Sequence, residues 1–483
     1  MQKLKVQGET RLPTIWRKPS LVFGGLGLAA LVAVEFTGQN DWFVLGWVCA
    51  LTLIYAMMVL YQGFRDGAAR VLTDPFVILV GAFSLYFLFG ALLLVVGPED
   101  QASYALQWYP TTARDAVRVT AMNLIGLATV LFAAGIFPSQ RVEKSVQPAI
   151  ALFDKFSIKK IFWWFLIIGV GAKLQVLSVD ISVTEGVVVL GTIRTLTNLT
   201  ELAILVGILY QGRDAGAIHV VTIALTIFDL VLGLLFFNKT TVLMPVMALF
   251  FGLYLRLPSL KLVVASVATL ATLLLFLANP IGEARDLFGE IPDKSLSMRF
   301  QILKEVFGSD AAAPDYGSGS WARICYIVQQ VAAVSLYEGG QGGNDVELLG
   351  WVFVPRVLFP NKPIITRSST DFNKKVTGYD TSSNAPGLFV SGYYNLGWVG
   401  LFLASLLAGW ILATFAAISR AVVASGSIIW LPLGLLGAYM AFRVDGHFVV
   451  DYLGPFGMLM VPFLALRTIA RTGSRKAIAE RVL

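Results

Sequence analysis

The chain is poor in the residues that build most metal sites and disulfide frameworks. It has 483 residues but only two cysteines and two histidines, and 14% of its residues are charged. Cys49 lies in an apolar run far along the chain from Cys325, so both are expected to be free thiols. Two histidines exclude a histidine-cluster metal site. Soluble domains are about a quarter charged, so the low charge excludes a mainly solvated surface.

Nucleotide-binding motifs are absent as well. The sequence contains no GxxxxGK[ST] loop, no GxGxxG after a predicted strand and no HExxH pair. No segment predicted to be cytosolic is long enough for a nucleotide-binding domain, so ATP-driven transport by this chain alone is excluded. The net charge is +7. It favours a lipid surface over nucleic acid, because the basic residues fall in short segments between apolar runs.

What the sequence has in abundance is long apolar runs. Hydrophobic residues make up 57% of the chain, and the mean hydropathy is +0.74. Because a spanning helix needs about 20 mostly apolar residues, we predict an all-α polytopic membrane protein with twelve transmembrane helices. The sixth is interrupted by Arg194, Asn198 and Glu201. The predicted spans are 20–37, 42–61, 76–97, 116–137, 160–178, 187–211, 217–236, 240–256, 261–279, 390–417, 427–442 and 448–467.

The Lys and Arg residues predict the orientation of these spans. Most of the 37 fall in segments that share one side, and this side is cytoplasmic by the positive-inside rule. Both termini are then cytoplasmic, and the first span is expected to be an anchor rather than a cleaved signal. We predict nine spans over 1–279, a large external loop over 280–389, and three spans with a basic cytoplasmic tail over 390–483.

The large loop is expected to be partly helical. Its segment SLSMRFQILKEVF places Leu296, Phe300, Leu303 and Phe307 at helical spacing on one face. The segment WARICYIVQQVAAVSLYEGG is apolar and predicts a helix packed on the membrane domain or dipping into the interface. Loops of this length are usually functional or disordered, and the aromatic patterning favours an ordered loop.

Six cations on the predicted outer side are candidate ligands of a lipid-linked phosphate or diphosphate. Arginine suits bidentate capture of phosphate oxygens. Simpler roles remain open: a loop tether or headgroup contact for Arg356, a solvated turn for Lys362, and pairing with Glu283 or Asp286 for Arg285. The candidates are Lys239, Arg285, Arg356, Lys362, Arg367 and Arg443.

The segment RVDGHF, from Arg443 to Phe448, combines a cation with two candidate bases. Arg443 would bind the diphosphate, and either Asp445 or His447 would accept a proton, since histidine titrates most easily near neutral pH. The alternative is an interfacial turn in which Arg443 reaches the headgroups.

Charged residues inside apolar runs give a third group of candidates. Asp229 and Lys173 are costly to bury and usually mark a cavity or a partner. Asp229 is therefore a catalytic candidate beside Asp445 and His447, although a structural Asp229–Lys173 pair between the fifth and seventh spans is equally open. Glu201 suggests a polar cleft at the sixth span. Glu338 and Asp345 are expected to be exposed loop acids that contact the acceptor.

Two segments carry a resemblance to a known family. VPRVLFPNKP (354–363) and NAPGLFVSGYYNLGWVG (384–400) resemble the late loop segment and next-span entry of Wzy-type polymerases, which assemble O-antigen and exopolysaccharide repeat units. The entry motif is Y-x-N-x-G-x-x-G, here Tyr393, Asn395, Gly397 and Gly400. An Arg-x10-Gly spacing cited for some members occurs at Arg367. Outside 354–400 the likeness is one of pattern only.

The resemblance implies a metal-independent glycosyltransferase without a cofactor, of GT-C-like architecture, in the bacterial inner membrane. The donor would be an oligosaccharide on undecaprenyl diphosphate, and the acceptor a second lipid-linked repeat unit. A chain-length co-polymerase would be a further partner, and nucleic acid would not. Arginines would stabilise the diphosphate leaving group, and a carboxylate or histidine would take the acceptor proton.

Two other functions remain open from the sequence. A related O-antigen-ligase-like transferase would also carry arginines and a histidine in an outer loop. A lipid-oligosaccharide flippase would predict internal repeats with broken helices in matching halves, and we find no such symmetry. Metal-dependent GT-C enzymes usually carry acids in the first outer loop, whereas this loop, TGQND, holds Asp41 alone.

Overall fold

A computed structural model gives the fold, and every regular element it describes is helical. This confirms the all-α prediction. The chain forms two compact units: unit 1 comprises 1–152 with 316–483, and unit 2 comprises 153–315. The structure describes residues 16–71, 74–153, 157–178, 196–237, 239–291, 295–308, 321–354, 359, 361–365, 367–378, 384–427 and 430–457.

Unit 1 is built from both ends of the chain. Two π-helical turns, Ser84–Phe89 and Phe448–Leu453, and two 3-10 turns, Ala322–Ile324 and Asp345–Leu348, accompany its α-helices. The α-helices are α1 Arg17–Val34, α2 Trp42–Val71, α3 Pro75–Phe83, α4 Leu93–Val96, α5 Glu99–Trp108, α6 Ala113–Ile136, α7 Ser139–Phe153, α14 Ile327–Glu338, α15 Leu349–Val352, α16 Arg367–Thr377, α17 Leu388–Ser425 and α18 Leu431–Phe442.

Unit 2 is continuous in sequence. Its helices are α8 Ile158–Ser178, α9 Leu199–Leu209, α10 Ala215–Leu235, α11 Lys239–Arg256, α12 Leu260–Glu290 and α13 Leu296–Gly308. Helix α12 continues past residue 279, so the ninth predicted span and the start of the predicted loop form one helix. A proline, Pro280, lies inside it.

Seven described helices are long and apolar enough to cross a membrane. They correspond to the first five predicted spans and to the seventh and tenth. Four more predicted spans coincide with shorter apolar helices, at 199–209, 241–256, 261–270 and 431–442. Half of the twelfth, 448–467, lies outside the described residues. Helix α1 shows why such helices suit lipid: it buries Phe23 and Ala30 but leaves Leu21 and Leu28 exposed, so both of its faces are apolar.

Helix α6 is the centre of unit 1. It packs against α1, α14 and α17, and 78% of its apolar segment is buried inside the protein. One polar pair is enclosed in this packing: the Asn123 and Gln330 amides exchange hydrogen bonds of 2.7 and 3.2 Å, and both side chains are fully buried. The predicted loop helix therefore packs on the membrane domain.

Successive predicted spans must place their connecting loops alternately on the two sides of the membrane. The loops of unit 1 that are in contact agree with this alternation. At one end Ala113 donates its N–H to the Gln39 carbonyl at 2.8 Å, and Asn384 contacts the Tyr109 hydroxyl at 3.3 Å. At the other end Arg420 pairs with Glu143 at 3.5 Å. Loops predicted to share a side thus meet at the same end of the unit.

Helix α17 is broken near its start. Leu396 and Gly397 have non-helical backbone angles, and Gly397 has φ +61° and ψ −147°, a region that essentially only glycine adopts. A Cβ on Gly397 would lie 2.7 Å from the Tyr337 hydroxyl. Glycine is thus required here by both backbone and packing. Asn395, whose side chain contacts Asp345, directly precedes the break.

Replacing Gly397 with alanine is expected to destabilise the protein by about 1–3 kcal/mol, because a Cβ strains the backbone and meets Tyr337. Thermal unfolding of the purified protein in detergent would measure the effect. Gly25→Ala is the matched control, since no atom lies within 4 Å of its Cβ position. Equal stability of the two variants would contradict a required glycine at the break.

Helix α13 confirms the predicted helix, but most of the apolar face that the sequence indicated is exposed. Leu296, Phe300 and Phe307 are exposed, whereas Arg299 is 5% exposed. The Arg299 guanidinium lies 4.1 Å from the centre of the Phe288 ring and donates to the Leu235 carbonyl at 3.0 Å, at the end of α10. The buried face thus carries Arg299 together with the apolar Ile302 and Val306.

Candidate functional site

The RVDGHF segment and the segment 384–400, both singled out in the sequence, meet at one end of unit 1. The turn between α18 and the π-helical turn lies against the start of α17: Leu388 donates its N–H to the Val444 carbonyl at 2.8 Å. Phe448 donates its N–H to the Ser391 hydroxyl at 3.2 Å. This contact assembles a polar group that we call the rim cluster: Arg443, Asp445, His447, Asp345 and Asp451.

His447 is the most deeply buried member of the rim cluster. Its side chain has no exposed surface, and Nδ1 lies 3.5 Å from Oδ2 of Asp345. Asn395, from the Y-x-N-x-G-x-x-G motif, holds this carboxylate: its amide donates to Asp345 Oδ2 at 3.1 Å, and its Oδ1 accepts the Asp345 N–H at 2.8 Å. The expectation that Asp345 is exposed is therefore wrong, since it is 5% exposed.

Arg443 lies between two carboxylates. Its Nη2 is 3.2 Å from Oδ1 of Asp451, and its Nε is 4.0 Å from Oδ1 of Asp445. The other oxygen of Asp445 accepts a hydrogen bond from the Tyr326 hydroxyl at 3.1 Å. The Arg443 side chain is 40% exposed, so part of its guanidinium can reach a ligand. It is the accessible cation of the rim cluster.

Burial affects two acids of the rim cluster, Asp445 and Asp345, differently. Burial raises the pKa of Asp445 above its ordinary value, and this outweighs the opposing charge of Arg443. Burial also acts to raise the pKa of Asp345, but the facing His447 ring, with Ser368 and Asn395, holds this pKa below its ordinary value. Folding therefore favours the ionised form of Asp345 and the protonated form of Asp445.

Asp445→Asn is expected to leave the protein at least as stable as the wild type at pH 7. An acid whose pKa is raised by folding favours folding below its unfolded pKa of about 3.9 and loses this contribution as the pH rises through its folded pKa. Asparagine removes this penalty and can still accept from Tyr326. Thermal unfolding against pH would measure it, and a marked loss of stability at pH 7 would show that Asp445 is needed as a charge for Arg443.

The other predicted phosphate ligands have partners of their own or lie outside the described side chains. Lys362 donates from Nζ to the Val354 carbonyl at 2.8 Å, which ties the ends of the proline-rich segment together. Arg367 is 75% exposed and pairs with Asp371 at 3.4 Å. Arg356 lies outside the described residues, and so do the side chains of Lys239 and Arg285, whose backbones lie in α11 and α12 of unit 2.

The intramembrane charges of unit 2 form a second polar group. Lys173 Nζ lies 2.9 Å from Glu201 Oε1 and 2.9 Å from Asp229 Oδ2. The three side chains come from α8, α9 and α10, and we call them the buried triad. The predicted Lys173–Asp229 pair is present, and Glu201 joins it. Asp229 is fully buried and paired, which argues against a role in taking the acceptor proton.

Sequence reasoning missed Asp451 and Tyr326 and gave Asp345 the wrong surroundings. Asp451 lies eight residues beyond Arg443. The π-helical turn after His447 brings the Asp451 carboxylate back to Arg443. Tyr326 comes from a loop more than a hundred residues away. Among described residues, no group of three or more His, Cys, Asp or Glu side chains could hold a metal ion.

No family model, curated protein or solved structure matches this chain. Its class follows from the fold: the described residues form a helical membrane protein with several apolar helices. Within that class, unit 1 carries a half-exposed arginine beside an acid and a buried imidazole, and unit 2 carries a buried ionic triad.

Proposed function

We propose that the chain polymerises oligosaccharide repeat units carried on undecaprenyl diphosphate, by metal-independent glycosyl transfer at the outer face of a bacterial inner membrane. The observation that supports this proposal is the rim cluster. It joins the RVDGH turn to the segment that resembles Wzy-type polymerases, and it places a cation, a titratable acid and an imidazole together. The proposal includes twelve spans, cytoplasmic termini and a GT-C-like architecture.

In this mechanism Arg443 binds the diphosphate leaving group of the donor. Negative charge grows on the diphosphate as the glycosidic bond breaks, and a preorganised guanidinium stabilises it. Asp445 and Asp451 already face Arg443, so one arginine does not offset both them and a diphosphate. We therefore include a second cation from the same unit, and Arg356 of the proline-rich segment is our candidate.

Asp445 is the better candidate for the base. Its side chain is 13% exposed and its pKa is raised by burial, whereas His447 has no exposed surface. The Asp445 carboxylate would take the proton of the acceptor hydroxyl as this oxygen attacks the anomeric carbon of the donor sugar. His447 with Asp345 then acts as a positioning pair that fixes the turn.

The test is purified protein with its lipid-linked repeat unit, with and without EDTA. A polymerase gives a ladder of chain lengths, releases undecaprenyl diphosphate and works equally in the chelator. A single transfer product would assign the chain as an O-antigen-ligase-like transferase instead. Loss of the ladder in EDTA, with recovery on adding a divalent cation, would contradict the metal-independent mechanism.

The buried triad supports a second candidate function, a lipid-oligosaccharide flippase. Ionisable groups inside membrane helices commonly mark ion or proton pathways in transporters, and a polymerase acting at one surface has no evident use for them. Reconstituted vesicles separate the two: a flippase moves a labelled lipid-linked oligosaccharide between leaflets, whereas a polymerase lengthens it in place.

A further inference from the structure

The charges of the buried triad do not balance. One ammonium faces two carboxylates, so the fully ionised group carries a net charge of −1. Among the described residues, the charged neighbours that act on Asp229 are Lys173 and Glu201. Arg256 instead reaches the Ile208 carbonyl near the end of α9, and Arg299 donates to the Leu235 carbonyl, six residues beyond Asp229 at the end of α10. The remaining charged side chains described on the helices packed around the triad are Lys159, Lys160, Lys304 and Glu305.

An unbalanced charge in this position is costly. Lys173 is 2% exposed, Asp229 0% and Glu201 10% by side chain, and each lies on an apolar helix. Removing an ion from water costs several kcal/mol unless an opposite charge and hydrogen bonds compensate it. The group is therefore stabilised by one further positive charge.

We propose that the buried triad binds one exchangeable proton, held on the carboxyl group of Asp229. A metal ion fits less well, because the Lys173 ammonium already lies 2.9 Å from both carboxylates and would repel it. A proton needs no shell of oxygen ligands. The site lies wholly within unit 2 and stands apart from the proposed function, which rests on unit 1.

The hydrogen bonds distinguish the two carboxyl groups. Glu201 accepts a hydrogen bond from Lys173 at 2.9 Å, which favours its ionised form. Its other oxygen lies 3.2 Å from the Thr200 hydroxyl, whose single proton is shared with the Thr197 carbonyl at 3.0 Å. No described residue makes a hydrogen bond of good geometry to either oxygen of Asp229. The Thr200 side chain also faces Asp229, and its oxygen can accept the bond that a protonated Asp229 donates. Glu201, the most exposed member, is the route for exchange with water.

Infrared difference spectroscopy of the purified full-length protein tests this site. A protonated carboxyl group in an apolar site gives a carbonyl band separate from that of ionised carboxylates. We expect such a band in the wild type at neutral pH, its loss at high pH, and its absence in Asp229→Asn. Asp214→Asn is the matched control, because Asp214 pairs with Lys159 at the surface of the same unit, and it should retain the band.

A second variant keeps the proposal testable if Asp229→Asn fails to fold. Lys173→Met removes the only cation of the triad, so a second proton must bind to neutralise the two acids. We expect the intensity of the protonated-carboxyl band to rise about twofold. A wild type without a band, or a band unchanged in both variants, overturns the proposal. Loss of the band on adding sodium at constant pH would show that the site binds a metal ion and would overturn it too.

Discussion

Replacing Arg443 with alanine is expected to lower glycosyl transfer by about 10²–10³-fold. This is the usual effect of removing one preorganised group that stabilises developing charge in a transition state. Arg443→Lys should recover only part of the rate, since an ammonium keeps the charge but loses the planar bidentate geometry. Chain-length ladders from purified protein with saturating lipid-linked repeat unit would measure the change.

The control for this prediction is Arg114→Ala. Arg114 is also an arginine in unit 1, but it is exposed and pairs at 3.2 Å with Glu35, a carboxylate that is not part of the rim cluster. It should keep wild-type activity, because such surface pairs contribute little. Full activity of Arg443→Ala would remove the diphosphate ligand from the mechanism. Equal loss in both variants would point to a general effect of charge.

Asp345→Asn is expected to cause the largest loss of stability among single changes at the rim cluster. It removes the buried carboxylate that Asn395 and His447 face, and leaving buried polar groups without their partner costs roughly 1–3 kcal/mol. Urea unfolding of the detergent-solubilised protein, followed by tryptophan fluorescence, would measure it. Asp371→Asn changes an exposed acid that pairs with Arg367, and it should alter stability by less than about 0.5 kcal/mol.

The acid side of the stability curve provides a further readout for Asp345. Its pKa is held low in the folded protein, so its contribution is present above the unfolded pKa of about 3.9 and is lost as the pH falls through the folded pKa. The wild type should therefore lose its advantage over Asp345→Asn in that acid range. A stability difference independent of pH down to strong acid would show that the Asp345 charge is not the cause.

The fold could be predicted where one local signal was sufficient. The apolar runs are so long and so poor in charge that seven of them emerge as spanning-length helices close to the predicted bounds. The helix at Ile327–Glu338 and its packing on the membrane domain were also predictable. Composition does not show which face of a helix is buried. In α13 the buried face includes Arg299, because its guanidinium donates to the Leu235 carbonyl and lies over the Phe288 ring.

The candidate site was predictable only within single segments. Arg443, Asp445 and His447 are neighbours in sequence, so their grouping needed no tertiary information. The partners that decide their chemistry come from elsewhere: Asp345 and Tyr326 lie more than a hundred residues earlier. Without them, His447 reads as an accessible base, whereas in the fold it is enclosed and held by a carboxylate.

Unit 1 is formed by two stretches of chain with unit 2 between them. This arrangement sets an order for its assembly in the membrane. Asn123 on α6 finds its partner Gln330 only 207 residues later, after all of unit 2 has been synthesised. Domains generally fold as units during synthesis. Unit 2 can therefore pack first, and until α14 is synthesised the Asn123 amide of α6 lacks its Gln330 partner inside the membrane. A nascent chain stopped before residue 327 would keep that amide uncovered, and α14 closes unit 1 when it arrives.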